Sequence, residues 1–112
     1  TSIASELANH ENPAYSASKG GLKLLTKSMA RDLAKYNIRV NNIGPGYFET
    51  KFNIKSLKNK KQYNLRASRS MMNRWGKPKE IIGPIIFLSS EASSYITAQD
   101  IYIDGGTISK FI

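Results

Sequence analysis

Residues 13–46 constrain the chain most, because a helix-length apolar stripe there runs straight into a strand that a turn then stops. Asn12 followed by Pro13 marks a helix start. The asparagine can cap, and proline fits the first helical position, where its missing N–H costs nothing. Leu22, Leu25, Met29 and Leu33 follow at spacings of three and four, one face of an α-helix. Asn37 is a suitable stop. "IRVNNI", residues 38–43, alternates as a strand does, and "GPG" ends it. A helix feeding a strand is the repeating step of a parallel sheet with crossover helices.

The rest of the chain is consistent with that step. Residues 1–12 read as a strand end and a loop, and residues 51–73 as one or two polar surface helices. "KPKEIIGPIIFLSSEAS" begins a helix near Pro78, with Ile81, Ile82, Ile85, Ile86 and Leu88 on its apolar face. Pro84 inside it predicts a kinked first turn or a later start. "DIYIDGG", residues 100–106, is a short strand ending in glycines. Two complete strands cannot form a covered parallel sheet by themselves, since such a pair needs neighbours and cover on both faces. The pattern is that of the second half of a doubly wound α/β domain.

Composition narrows the chemistry. The 112 residues suffice for one small domain, and the 40% hydrophobic content supports a core. No cysteine is present, which excludes disulfides, thiolate metal sites and a cysteine nucleophile. The longest apolar run, "IIFL", is far too short to span a membrane. The first residue is Thr1 rather than Met, so a piece of a longer chain is expected. Charge is uneven: the formal net charge is +9, and residues 50–79 hold ten basic residues and no acidic one.

"AYSASKGG", residues 14–21, carries the candidate chemistry. Tyr15 and Lys19 are four apart and share a helix face. A phenol is a poor base near neutrality, and a neighbouring ammonium favours its ionised form. Such a tyrosine can take a proton from an alcohol or give one to a ketone. Gly20 and Gly21 cost about 1 kcal/mol each in a helix, which suggests close approach by a cofactor or a second helix. The spacing alone is common and by itself better suits a core tyrosine beside a solvated lysine.

The context decides between these. "TSIASELANHENPAYSASKGGLKLLTKSMARDLAKYNIRVNNIGPGYFETKF" closely resembles the short-chain dehydrogenase/reductase family. The family's Y-x-x-x-K stands at Tyr15 and Lys19, and its N-x-x-x-P-G at Asn42, Pro45 and Gly46. Its catalytic serine, most often 13 residues before the tyrosine, falls on Ser2, with Ser5 as the fallback. The closing "RWGKPKEIIGPIIFLSSEASSYITAQDIYIDGG" resembles the family's last helix, turn and strand. The resemblance covers nearly the whole chain and is nearest to gluconate 5-dehydrogenase-type and 3-oxoacyl-carrier-protein reductase-type members.

That resemblance implies a fold, a reaction and a set of roles. The fold is the C-terminal half of a doubly wound Rossmann-like sheet, with residues 1–112 as one partial domain. The reaction is hydride transfer between NAD or NADP and a hydroxyl or keto group of a sugar acid or 3-oxoacyl substrate. Ser2 would hydrogen-bond the substrate oxygen, Tyr15 would be the acid/base, and Lys19 would hold the nicotinamide ribose. Pro45, Gly46 and the Phe48 backbone would line the nicotinamide. Thr50 would bond the carboxamide or a phosphate, the plain alternative being a helix cap. Family members usually pair the long helix into a homo-oligomer, and a cytoplasmic location is expected, with no membrane or nucleic-acid partner.

Two departures stand out. The family's T-G-x-x-x-G-x-G loop is absent, so the piece alone should neither bind a dinucleotide tightly nor turn over. The family's T-G-Q before the last strand is here Thr97, Ala98, Gln99, which strains Ala98 if that position takes a positive φ. The other candidates read more plainly. His10 is the sole histidine and suits a solvated loop or the substrate mouth; Asp104 suits a terminal turn; Trp75 suits packing. The basic segment reads as a solvated lid, with attraction of an anionic substrate as the sharper alternative and nucleic-acid binding a weak third. A rival from another class is a truncated, non-catalytic protein that works by association.

Overall fold

A computed structural model describes residues 1–8 and 12–110. A 3₁₀ turn, Ile3–Ser5, precedes helix α1, Pro13–Leu33. Asn12 caps α1 as expected, its Oδ1 accepting from Tyr15 N at 3.2 Å. The chain leaves α1 through a 3₁₀ turn, Ala34–Tyr36, and Asn37 closes it in the left-handed region at φ 64°. Strand β1 is Asn42–Pro45. The basic segment, residues 50–79, called the lid below after the expectation above, begins as a 3₁₀ turn, Lys51–Asn53, and helices α2, Ile54–Lys58, and α3, Lys60–Ala67. A 3₁₀ turn, Pro78–Ile81, leads into α4, Ile82–Leu88, so Pro84 sits in the first turn of α4, where no helical N–H is needed. Strand β2, Asp100–Ile103, is followed only by turns over residues 104–110 in the described chain.

β1 and β2 pair in parallel, with Asn42 opposite Asp100 and Gly44 opposite Tyr102. The strand expected over 38–43 lies four residues later, and the "GPG" turn belongs partly to it. The cause is the partner segment. Val40 N–H donates to Thr97 Oγ1 at 3.1 Å, and Val40 O accepts from Ala98 N at 2.8 Å. Ala98 is left-handed at φ 60°, so the chain turns there and cannot yet run alongside. The ladder starts where Asn42 N–H meets Gln99 O at 2.8 Å and continues to Gly46 N–H on Ile103 O at 3.0 Å. Donors on this edge alternate, so the missing N–H of Pro45 falls on the other side. There the amine and hydroxyl of Thr1 both reach Ile43 O at 3.0 Å, which places β1 between β2 and the Ser2 turn.

A buried polar relay ties the layers. Thr26 Oγ1 on α1 donates to Asn42 Oδ1 at 2.8 Å, and Asn42 Nδ2 donates to Asp100 Oδ1 at 2.8 Å. Both Thr26 and Asn42 are buried, where an unmade hydrogen bond is costly. The apolar core is small: Ile3, Ala30, Phe48, Ala67 and Trp75. The Cα radius of gyration is 15.3 Å, against about 13 Å for a compact domain of this length, so the chain is extended for its size. The observed architecture is a partial α/β Rossmann fold.

Candidate active site

The first two turns of α1 present Tyr15 and Lys19, both half-buried, on one face. Lys19 Nζ stands 5.3 Å from the Tyr15 ring centroid, within cation–π range. Lys19 forms no ion pair among the described residues. The Ile3–Ser5 turn, which follows directly on Ser2, packs against α1.

Ser2 stands at the N-cap of the Ile3–Ser5 turn, and its Oγ accepts from Ala4 N at 3.2 Å. That bond uses a lone pair and leaves the hydroxyl proton free to donate. Ser5, the fallback, is already engaged: its Oγ donates to Ser2 O at 2.6 Å. The serine 13 residues before Tyr15 is thus the one whose proton is unclaimed.

Pro45 and Gly46 end β1 beside the end of β2. A Cβ on Gly46 would come within 2.8 Å of Asp104 Cα, so only glycine lets the two strand ends approach. Phe48 is buried and pairs as an isolated bridge with Gly76, its ring against the glycine. Its carbonyl accepts from Asn53 Nδ2 at 2.9 Å, and its N–H has no partner among the described residues. Thr50 occupies an N-cap position but makes no side-chain capping bond, and its Oγ1 accepts a long bond from Asn53 Nδ2 at 3.5 Å. His10 lies outside the described residues. Asp104 serves a turn, its carboxylate accepting from Gly106 N at 2.9 Å and Ile108 N at 2.8 Å. Trp75 is 1% exposed and stacked on Tyr63, so packing is its role.

Sequence reading passed over Tyr102, Glu6 and Lys23, which gather behind Ser2. Tyr102 Oη donates to Glu6 Oε1 at 2.6 Å, and Lys23 is ion-paired with the same carboxylate. The one available signal was register: in a parallel pair Tyr102 falls beside Gly44. It also passed over a cavity of about 90 Å³ between Tyr47, Phe48, Gly76 and Asp104.

Residues 1–107 match the family described as enoyl-(acyl carrier protein) reductase. The chain belongs to the short-chain dehydrogenase/reductase family. It is 44% identical over 108 residues to a 2-dehydro-3-deoxy-D-gluconate 5-dehydrogenase of Formosa agariphila, covering 96% of this chain and 41% of that protein. It is 41% identical over 109 residues to the 3-oxoacyl-[acyl-carrier-protein] reductase of Thermotoga maritima, covering 95% and 44%. A crystal structure of a gluconate 5-dehydrogenase from Burkholderia cenocepacia J2315, in complex with NADP and tartrate, superposes with a TM-score of 0.94 at 38% identity, covering 98% of this chain and 43% of that one. The chain thus spans less than half the length of these relatives.

In this short-chain dehydrogenase/reductase the residues present fit one end of a dinucleotide. Lys19 would offer donors to ribose hydroxyls, and the Phe48 N–H, without a partner among the described residues, would offer one to a carboxamide oxygen. The pyrophosphate end finds no such fit here, since among the described residues no glycine-rich turn follows a strand and opens a helix.

Proposed function

We propose that the full-length protein transfers a hydride between NAD or NADP and a hydroxyl or keto group of a sugar acid. The observation that carries this is the shared face of Tyr15 and Lys19, with the unclaimed proton of Ser2 in the neighbouring turn. When bound, the nicotinamide supplies or accepts the hydride. Ser2 Oγ donates to the substrate oxygen and stabilises it as charge develops. Tyr15 Oη takes the proton of an alcohol, or gives one to a ketone. Lys19 holds the ribose hydroxyls and keeps its charge beside the Tyr15 ring. Pro45, Gly46 and Phe48 form the wall against the nicotinamide ring, and Thr50 bonds the carboxamide or a phosphate.

The sugar-acid class is supported by the gluconate names of two of the relatives and by tartrate, a hydroxy acid, in one of them. The 3-oxoacyl class is the alternative that the reductase relative supports. Residues 1–112 form the catalytic and lid half of one domain in this reading, with the dinucleotide half elsewhere in the full-length chain. The protein works as a homo-oligomer, α1 offering the exposed Leu22, Leu25 and Met29 to a second copy. No described helix is long and apolar enough to cross a membrane.

Tyr15→Phe in the full-length protein tests the reading. Turnover should fall by at least about 100-fold, the scale of acid–base catalysis, with cofactor affinity little changed. Near-normal turnover would overturn it. Substrate charge is tested by salt: raising ionic strength should lower kcat/KM for gluconate more than for a neutral polyol, because screening acts on the exposed lid lysines.

A further inference from the structure

The cluster behind Ser2 has no part in the chemistry above. Ser5 Oγ donates to Ser2 O at 2.6 Å and lies 3.1 Å from Tyr102 Oη. Tyr102 Oη donates to Glu6 Oε1 at 2.6 Å, and the same oxygen is ion-paired with Lys23 Nζ. Lys23 stands on α1 one turn beyond Lys19 and two beyond Tyr15. Asp100, at the head of β2, lies 3.6 Å from Lys23 Nζ. The cluster therefore touches the turn that carries Ser2, the helix that carries Tyr15 and Lys19, and strand β2.

Gly44 makes the contact possible. A Cβ at this position would come within 2.4 Å of two Tyr102 ring carbons. The ring lies against the bare backbone of β1, and its hydroxyl emerges on the far side, at the Ser2 turn. A side chain at position 44 would turn the ring away and separate the hydroxyl from both partners. This register-matched gap is an observation independent of the hydrogen bonds.

The protons are accounted for. Tyr102 and Ser5 carry one hydroxyl proton each. The Tyr102 proton goes to the carboxylate, which leaves the Ser5 proton for Ser2 O and, more weakly, for Tyr102 Oη. Lys23 and then Tyr102 hold Glu6 below its ordinary value, so it stays an ionised acceptor. Burial first and Glu6 second raise the Tyr102 phenol, so it stays a donor.

We infer that Tyr102 is a positioning residue: acting through Ser5 and Glu6, it fixes the turn that carries the Ser2 hydroxyl relative to Tyr15. The inference rests on the roles of Ser2 and Tyr15 proposed above. It matters because acid–base geometry is strict, and a shift of about 1 Å can cost as much as ~100-fold in rate.

The experiment uses the full-length protein, steady-state kinetics with gluconate or its keto acids and NADP(H), and amide exchange without substrate. Tyr102→Phe should lower kcat by about tenfold, within the range that misplacement allows, with the cofactor Kd unchanged. Gly44→Ala keeps every polar group and should act in the same direction. In a Ser2→Ala background Tyr102→Phe should cost nothing further, because Tyr102 acts only through Ser2. The Ala4 amide, which donates to Ser2 Oγ, should exchange faster in Tyr102→Phe while the β1–β2 ladder amides keep their protection. If Tyr102→Phe does not fold, Glu6→Gln keeps the size and an acceptor but removes the charge, and should show a smaller kcat loss with the same dependence on Ser2. A full, multiplicative loss in the Ser2→Ala background would overturn the inference, as would unchanged Ala4 exchange. Should Ser2→Ala alone leave kcat intact, the catalytic reading of Ser2 fails and takes this inference with it, an outcome that one single variant identifies. Where none of these acids turns over, Ala4 exchange decides alone.

Discussion

Trp75, inside the lid, is 1% exposed, whereas Leu24 on α1 is 67% exposed and Ile86 on α4 is 62% exposed. The lid buries an aromatic centre of its own, although Phe52 on it is 88% exposed. The Trp75 ring stacks on Tyr63 at 5.5 Å, with Tyr47 tilted against it at 5.7 Å, and Arg66 lies over both Tyr47 and Trp75. Arg69 Nη1 adds a bond to Tyr47 Oη at 2.8 Å. Two of the basic residues in this segment therefore cover aromatic rings rather than wait for an anion. The sheet half is the opposite case. Its centre is polar, through Thr26, Asn42 and Asp100, and its helices turn leucines and isoleucines outward. The lid is centred on a buried tryptophan and the sheet half on buried polar groups, and both leave large apolar side chains open.

The largest expected effect breaks this contrast from the lid side. Trp75→Ala should cost about 3–5 kcal/mol, the usual range for removing a buried tryptophan. The loss should be local. Amides at Tyr63 and Gly76 should exchange faster, while Asn42 and Gly46 in the ladder keep their protection. Equal loss of protection in both regions would show that the lid core supports the whole chain.

The two regions also differ in how far the sequence revealed them. The Tyr15–Lys19 face, the cap at Asn12 and the left-handed stop at Asn37 follow from local rules, and the structure has all three. The start of β1 was misplaced because its partner segment, 96–99, decides where pairing begins, and no local pattern in "IRVNNI" reports a turn nearly sixty residues away. The Tyr102 cluster was illegible for the same reason. Ser5 and Tyr102 are 97 residues apart and meet only because Gly44 leaves a gap between them. The lid helices were visible as polar helices, but the use of Arg66 as an aromatic cover was hidden in a segment that reads as uniform charge.

A smaller change sharpens the contrast from the sheet side. Ala98 holds φ 60°, pinned by its N–H on Val40 O at 2.8 Å. A left-handed conformation costs an L-residue about 1–2 kcal/mol. Glycine removes that strain but gains freedom when unfolded, which takes back about 0.4–1 kcal/mol. Ala98→Gly should therefore stabilise the protein by a net ~0.5–1 kcal/mol. The measurement is the denaturant midpoint at unchanged slope. A lower midpoint would mean that the turn before β2 is not under strain.

The smallest effect concerns the edge of the lid. Glu80 accepts two bonds from the Arg74 guanidinium, at 2.7 and 2.9 Å, and a third from Lys77 N at 2.7 Å. These hold its carboxyl at about 2 against an ordinary 4.5, Arg74 being the largest cause and the Lys77 N–H the next. A depressed carboxylate stabilises the folded state fully above its unfolded value and loses that contribution as the proton is taken up. The window is thus from pH 4.5 down to about 2. The pair is open to solvent, so the effect is modest and falls with salt. Wild type should lose stability across this window more steeply than Glu80→Gln, with the Gln variant the weaker of the two above pH 4.5 and the curves converging near the acid end. Urea midpoints taken across that range give the comparison directly. Curves that stay parallel throughout would mean that the Arg74–Glu80 fork holds the lid edge no better than two separate side chains in water.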